Sequence, residues 1–414
     1  SSKKSYLTQM KNKNSEDSTF YFERAIDKDE SGDLQGAIED YTKAIEVDPI
    51  ADNCYYGRAY DKEELGDLQG AIEDYTKAIE INPYHIDAFL NRGVSKSNLE
   101  DYKGAIEDYT NVIEIDPYYA NAYFNRGISR EEIGDFTKAL KDYSKAISLN
   151  PKNHLYFGRR AYLKSTLKDI EGAIEDYECS INIEPEFEDA YINLASLKIL
   201  LEDYKDSIKY CTKLIKLSPN STDGYITRGL SKYEIKNYIG AIEDYTKAID
   251  INPENYSPYY FRGLAKYQLK NFESAIKDFT KTIKSNSQHE EAFLYNGLSK
   301  SKLGDNEGAI NDYTKLIDIN PNSSLGLCNR GLSKLNLSDY EGALDDLTKA
   351  LEANPAMAVA YYYRGLLKET LEDNEGAIRD WGKAAVLGHE EAAKLIKWKS
   401  LTVVSLFNYK SIIK

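Results

Sequence analysis

An internal repeat of 34 residues constrains this 414-residue chain more than any other feature of its sequence. The string GAIEDYTKAI begins at Gly36 and again at Gly70, and variants of it recur at Gly172 and Gly240, always at a multiple of 34 residues. With position 1 set at residue 18, eleven repeats follow one another without insertion up to residue 391. Because one such repeat cannot bury an apolar core alone, it must stack on its neighbours. The period therefore predicts one elongated array rather than the two or three domains suggested by chain length.

Each repeat contains the pattern of two helices. The first has an aromatic residue at position 4 in most repeats, a small residue at position 8 and an apolar residue at position 14, which lie on one helical face. Asp or Asn occupies position 16 in all eleven repeats, where it can cap the N-terminus of a second helix. Proline at position 32 of nine repeats then ends that helix. The pattern predicts paired helices throughout.

This pattern resembles that of the tetratricopeptide repeat (TPR) family over residues 18–391. The resemblance implies an all-α fold, a right-handed α-solenoid of tandem helix-turn-helix TPR units whose first helices line a concave groove. The Lys-, Asn- and Ile-rich usage is similar to that of bacterial TPR proteins.

The two ends differ from the repeats. Residues 1–17 are polar and are predicted to form a disordered tail. Residues 392–414 are predicted to form a capping helix for the last repeat, followed by an apolar tail. Because residues 401–413 carry many apolar side chains, we expect them to pack near Leu366 and Leu367, although contact with a partner or a membrane surface is the alternative.

Charged residues occupy positions of the packing face where TPR proteins usually carry apolar or aromatic side chains. Position 7 is Arg in nine repeats and position 11 is Lys or Arg in all eleven, and such neighbouring cations repel unless an acid neutralises them. Position 23 supplies Asp in ten repeats, and in the sixth repeat both charges are lost together, as Leu194 and Tyr210. The ninth repeat keeps Asp312 but has Asn296 at position 7. The co-loss predicts partly buried, structural ion pairs, among them Arg58–Asp74, Arg92–Asp108 and Arg228–Asp244.

No pattern of catalytic or metal-binding residues is visible. The four His residues fall at turns between repeats, the four Cys residues have no CxxC spacing, and no glycine-rich phosphate loop is present. The sequence therefore predicts a protein that is not an enzyme and has no metal or cofactor. A net charge of −15 argues against duplex nucleic acid as a partner. The sequence contains no stretch of eighteen apolar residues, so it predicts no membrane-spanning helix.

The TPR resemblance implies that positions 2, 5, 6, 9, 12 and 13 of the first helices face the groove. In TPR proteins that bind a peptide, Asn at position 6 can hydrogen-bond the peptide main chain. The residues at that position here are Asn91, Asn125, Asn193 and Asn329. Apolar and aromatic side chains at positions 5 and 6 complete the predicted peptide site: Phe22, Tyr56, Phe124, Ile192, Ile226, Tyr260, Tyr295 and Tyr363. The alternative is that these side chains only pack between neighbouring helices. The Lys and Asn set with which some TPR domains clamp a C-terminal carboxylate is absent.

The sequence thus favours a non-enzymatic protein–protein interaction scaffold that binds a protein or peptide segment in its groove. Two alternatives stay open: a self-associating structural protein, or a peripheral membrane adaptor that uses the C-terminal segment. Four Cys residues without a disulfide framework indicate the cytoplasm. Because residue 1 is Ser, a processed lipoprotein or exported form is the other possibility.

Overall fold

The computed structural model describes residues 16–398, which are helical throughout apart from the short turns between helices. The chain divides into two compact units, an N-terminal unit of residues 1–197 and a C-terminal unit of residues 198–414. The all-α class and the tandem helix pairs predicted from the repeat are confirmed within each unit.

The first helices of the repeats carry odd numbers. They are α1 (Glu16–Ser31), α3 (Asp52–Glu64), α5 (Ile86–Asn98), α7 (Ala120–Glu132), α9 (His154–Thr166), α11 (Glu188–Leu200), α13 (Thr222–Glu234), α15 (Ser257–Gln268), α17 (Glu290–Lys302), α19 (Ser324–Asn336) and α21 (Ala358–Thr370).

The second helices carry even numbers. They are α2 (Leu34–Val47), α4 (Leu68–Ile81), α6 (Tyr102–Ile115), α8 (Phe136–Leu149), α10 (Ile170–Ile183), α12 (Tyr204–Leu217), α14 (Tyr238–Ile251), α16 (Phe272–Ser285), α18 (Asn306–Ile319), α20 (Tyr340–Ala353) and α22 (Asn374–Val386). Within each unit, second helices pack against the first helix of their own repeat, as α2 does on α1, and against that of the next repeat, as α2 does on α3.

Each second helix begins at the predicted cap. Asp33, for example, accepts a hydrogen bond from the Gly36 amide at 3.0 Å, and position 16 makes the equivalent bond in every repeat. The residue before the cap, at position 15, has a positive φ. Glycine fills it at Gly32, Gly66, Gly134 and Gly304, and other residues fill it at Glu100, Lys168, Glu202, Lys236, Lys270, Ser338 and Glu372. Each helix pair therefore turns through one left-handed residue, which glycine adopts with least strain.

The core lies between the two helices of each repeat. Aromatic rings at position 24 of the second helices, such as Tyr109 and Trp381, are almost completely buried. A Cβ atom on Gly93 would lie 2.7 Å from Cε1 of Tyr109. Position 8 must therefore stay small so that the ring can reach the first helix.

The ends of the described chain add two details. Helix α1 begins at Glu16, two residues before the predicted first repeat. Residues 390–398 are helical, and Ala392 is buried in a cluster with Trp381 and Ala384. The predicted disordered tail comprised residues 1–17, but residues 16 and 17 belong to α1. The rest of that tail and the predicted packing of residues 401–413 lie outside the described residues. No helix between residues 16 and 398 has the length and apolar character that a membrane span requires.

Candidate functional site

The charged residues of the packing face meet as bidentate pairs. In the third repeat, Nε and Nη2 of Arg92 lie 3.0 and 2.6 Å from the two carboxylate oxygens of Asp108, which is 1% exposed. Arg58 contacts Asp74 at 2.8 and 2.7 Å, and Arg228 contacts Asp244 at 2.9 and 2.7 Å. Two parallel charge-assisted bonds fix both distance and orientation between the helices of a repeat.

Two further contacts enlarge each pair into a group that we call the clamp. The cation at position 11 contacts the same aspartate, as Lys96 does with Asp108 at 2.9 Å. In addition, Nη1 of Arg92 donates to Thr76 Oγ1 of the preceding repeat at 3.0 Å. This threonine lies at position 25, which is Thr in most repeats and is Glu178 in the repeat just before the one that has Leu194. The arginine therefore connects consecutive repeats as well as the two helices of its own repeat.

The ninth repeat shows what the arginine contributes. Among the described residues, the side chains that contact the Asp312 carboxylate are Asn296, whose amide lies at 3.0 Å, and Lys300, whose amine lies at 2.7 Å. Burial raises the pKa of Asp312 above the ordinary value. Burial also acts on Asp380, but hydrogen bonds from Arg364 and Lys368 lower its pKa overall. The guanidinium thus stabilises the ionised carboxylate in a site that burial alone would make unfavourable.

The sixth repeat has a leucine and a tyrosine at the two positions that hold arginine and aspartate in the clamp. Leu194 and Tyr210 are both buried. Lys198, which has no aspartate at position 23 to contact, lies 3.4 Å from Asp203 and 3.5 Å from Asp206. All these arrangements satisfy charges within the protein, so the clamp serves structure.

The predicted groove asparagines are half-buried, and three of the four donate to groups within the protein. Asn91 Nδ2 donates to Tyr56 Oη at 3.1 Å. In the other two, Nδ2 donates to a carbonyl four residues earlier in the same helix, at 2.7 Å from Asn193 and 2.8 Å from Asn329. Asn125 is half-buried as well. Each of these three internal bonds uses one of the two N–H groups of the asparagine amide.

The predicted position 5 rings of the N-terminal unit lie against other rings. Tyr56 is 6% exposed, and its ring centroid lies 5.8 Å from that of Tyr75 and 4.9 Å from that of His85. The rings of Phe22 and Phe124 are half-buried and pack in the same way, 6.0 Å from Tyr41 and 5.7 Å from Tyr143. In this unit, position 5 contributes chiefly to packing.

The other predicted groove residues are half-buried. They are Ile192, Ile226, Tyr260, Tyr295 and Tyr363. Tyr260 packs towards the end of its own repeat, with its ring centroid 4.5 Å from that of His289, which caps the N-terminus of α17.

A half-buried aromatic surface crosses three consecutive first helices of the C-terminal unit. We call it the aromatic strip, and it consists of Tyr233 on α13, Phe261 and Tyr267 on α15, and Tyr295 on α17. The rings of Tyr267 and Tyr295 meet edge to face at 5.5 Å, and Phe261 stacks on buried Tyr245 at 5.9 Å. These residues occupy positions 6 and 12 of their repeats, which the TPR resemblance assigns to the groove.

Two hydroxyl groups of the strip, those of Tyr233 and Tyr267, stay neutral. Burial raises the pKa of Tyr233 and of Tyr267 above the ordinary value, so both phenols keep their protons at neutral pH. Tyr233 Oη accepts a hydrogen bond from Gln268 Nε2 at 3.2 Å, so its own hydroxyl hydrogen is available for donation. The strip therefore combines apolar ring area with hydroxyl groups that can bond a peptide main chain.

The described residues show no arrangement for metal chemistry. Within residues 16–398, no group of three or more His, Cys, Asp or Glu side chains could hold a metal ion. All four Cys residues are free thiols, and Cys179 is exposed.

Models of the tetratricopeptide repeat match most of the chain. The matched residues are 22–86, 98–134, 120–153, 188–221, 222–255, 256–289, 291–323 and 328–394. The chain belongs to the tetratricopeptide repeat family. No curated protein matches this TPR protein in sequence.

Solved TPR structures resemble the chain in fold. A TPR protein from Parabacteroides merdae is 21% identical, with 59% of this chain and 97% of that chain covered at a TM-score of 0.45. YrrB, described as a TPR protein with an unusual peptide-binding site, is 20% identical, with 45% and 97% covered at a TM-score of 0.42. A chain of the APC/C hetero-tetramer Cut9–Hcn1 is 17% identical, with 95% and 91% covered at a TM-score of 0.44.

Proposed function

We propose that this TPR protein is a non-enzymatic interaction scaffold that binds an extended peptide or protein segment across its first helices. The aromatic strip is the observation that carries the proposal. Binding sites for peptides combine apolar and aromatic surface with a few polar groups that fix orientation, and the strip has both. Its partner would be a segment with apolar side chains.

The arrangement of the strip supports binding rather than packing alone. Its four rings remain half-buried, whereas the position 24 rings on which two of them stack, Tyr245 under Phe261 and Phe279 under Tyr295, are fully buried. The core of these repeats is thus complete without removing the strip from solvent. An extended segment that crosses α13, α15 and α17 would cover rings from three repeats in succession.

The test is selection of peptide ligands, followed by substitution of the strip. A displayed library of random dodecapeptides is selected on the full chain, and the affinity of synthetic copies is measured by fluorescence anisotropy. Tyr267→Ala and Tyr295→Ala should each weaken binding about tenfold or more, because aromatic anchors dominate such interfaces. Tyr340→Ala is the matched control, since Tyr340 is a partly exposed tyrosine near the start of a second helix.

Two results would contradict the proposal. Selected peptides that bind the two strip variants as tightly as the original protein would place the binding site elsewhere. A mass that rises with protein concentration, and that falls back to the monomer value in both strip variants, would show that a second copy covers the strip.

A further inference from the structure

Two glutamates occupy the same position of their repeats in the N-terminal unit but have different partners. Glu63 on α3 and Glu131 on α7 both lie at position 12. The position 24 tyrosine of each repeat donates to the carboxylate, Tyr75 to Glu63 at 2.8 Å and Tyr143 to Glu131 at 2.7 Å. The two sites therefore start from the same glutamate–tyrosine geometry.

At Glu131 a guanidinium of the protein completes the site. Arg159, at position 6 of the following repeat, places Nε 3.1 Å from one carboxylate oxygen of Glu131 and Nη2 3.1 Å from the other. The same Nη2 lies 3.6 Å from Glu132. The fork of an arginine thus fits the position 12 carboxylate in this fold.

At Glu63 the equivalent position is occupied by a neutral side chain. Asn91 stands where Arg159 stands in the other site, and its amide donates to Tyr56 instead. Ser95 donates to the second carboxylate oxygen of Glu63 at 3.0 Å. Among the described residues, no lysine or arginine pairs with Glu63.

The missing cation is reflected in the electrostatics of Glu63. Burial raises its pKa above the ordinary value, although hydrogen bonds from Tyr75 and Ser95 act in the opposite direction. A carboxylate offers about four lone-pair directions, and these two hydroxyls use two of them. The remaining directions can accept N–H groups, as Glu131 does from Arg159.

We propose that Glu63, with Tyr75, Ser95 and Asn91 around it, is a recognition site for an arginine side chain of a bound peptide or protein. The inference rests on the proposed peptide-binding function and adds a charged determinant in the N-terminal unit. The guanidinium of the partner would occupy the place that Arg159 fills at Glu131.

The direct test measures binding of a fluorescein-labelled octa-arginine peptide to the full chain. Glu63→Gln should weaken binding about tenfold, the effect of losing one charge-assisted contact, and Asn91→Arg should weaken it similarly by supplying an internal guanidinium. Glu73→Gln is the matched control, because Glu73 is an exposed acid on α4 and the change in net charge is the same. It should change the affinity less than twofold.

Equal weakening by Glu63→Gln and Glu73→Gln would overturn the proposal, because general attraction to an acidic surface would then explain binding. Octa-lysine bound as tightly as octa-arginine, and equally weakened by Glu63→Gln, would overturn the assignment to a guanidinium. Thermal unfolding provides an independent readout, since Asn91→Arg should raise the midpoint when its guanidinium reaches Glu63. An unchanged or lower midpoint would contradict the proposed geometry.

The reverse substitution distinguishes this inference from the proposed function. Arg159→Asn removes the internal cation from Glu131 and should raise octa-arginine binding, whereas display-selected peptides should continue to depend on Tyr267 and Tyr295. If those peptides depend on the strip but octa-arginine ignores Glu63, the arginine site fails and the scaffold function stands. If octa-arginine binding depends on Glu63 but the selected peptides do not depend on the strip, the arginine site stands and the proposed peptide binding at the strip fails.

Discussion

Removing one arginine of a clamp should destabilise the array by a predictable amount. Arg92→Leu leaves Asp108, 1% exposed, with Lys96 as its remaining cation at 2.9 Å, and deletes the bond to Thr76 at 3.0 Å. Breaking a buried ion pair costs about 3–5 kcal/mol, and the retained lysine should reduce the loss to about 2–3 kcal/mol. Urea-induced unfolding gives the free energy, and hydrogen exchange in α5 and α6 should accelerate because repeats unfold locally.

The loss should depend on pH in a defined direction. In the variant, Asp108 would resemble Asp312, which lacks an arginine and whose pKa is raised by burial. A carboxyl group with a higher pKa in the folded state binds its proton more tightly when folded. The destabilisation should therefore be complete at neutral pH and decrease as the pH falls through the raised folded-state pKa towards the unfolded value of about 4.

Two further variants make this prediction refutable. Arg379→Leu is the control, because Arg379 is 71% exposed and lies 3.6 Å from an exposed Glu375, so its loss should be below about 0.5 kcal/mol. Asp108→Tyr combined with Arg92→Leu reproduces the residue pair of the sixth repeat and should recover part of the stability. Strict additivity of the two changes, or no loss in Arg92→Leu alone, would refute the ion-pair reasoning.

The remaining predictions concern the ninth repeat and the left-handed turn. Asn296→Arg should supply the missing guanidinium to Asp312, lower the pKa of that carboxyl and raise the free energy of unfolding by about 1 kcal/mol. Thermal unfolding at several pH values measures both effects. An unchanged pH profile of stability would show that the arginine does not reach Asp312. Lys270→Gly should stabilise by about 0.5–1 kcal/mol, because Lys270 has a φ of 59° that glycine adopts with less strain. Gly66→Ala should destabilise the protein, because Gly66 has a φ of 84°. Equal melting temperatures of the original protein, Lys270→Gly and Gly66→Ala would contradict the strain argument.

The fold could be predicted from sequence because the repeat supplies the same information eleven times. A cap at position 16 is visible in every repeat as Asp or Asn, so the start of each second helix was predictable. The left-handed residue before the cap could not be predicted from residue type, because residues other than glycine, such as Lys168 and Glu372, occupy that position in seven of the eleven repeats. The pattern of backbone conformation was thus more regular than the pattern of residue types.

The candidate site was less predictable because it depends on side chains from neighbouring repeats. The pairing of arginine with aspartate was inferred because Leu194 and Tyr210 lose both charges in one repeat. The bond from arginine to threonine was missed, although the replacement of the threonine by Glu178, just before the repeat that has Leu194, was a signal of it in the sequence. Likewise, the sequence could not show that the Asn91 amide donates to Tyr56, because that contact depends on how two first helices lie together.

Photochemical cross-linking of a bound peptide tests the central claim most directly. A display-selected peptide carrying benzoylphenylalanine at successive positions is irradiated with the full chain, and the cross-linked residues are found by mass spectrometry. The account predicts cross-links to α13, α15 and α17 around Tyr233, Tyr267 and Tyr295, with loss of these products in Tyr267→Ala. Cross-links concentrated on the second helices, such as α14 and α16, would contradict it.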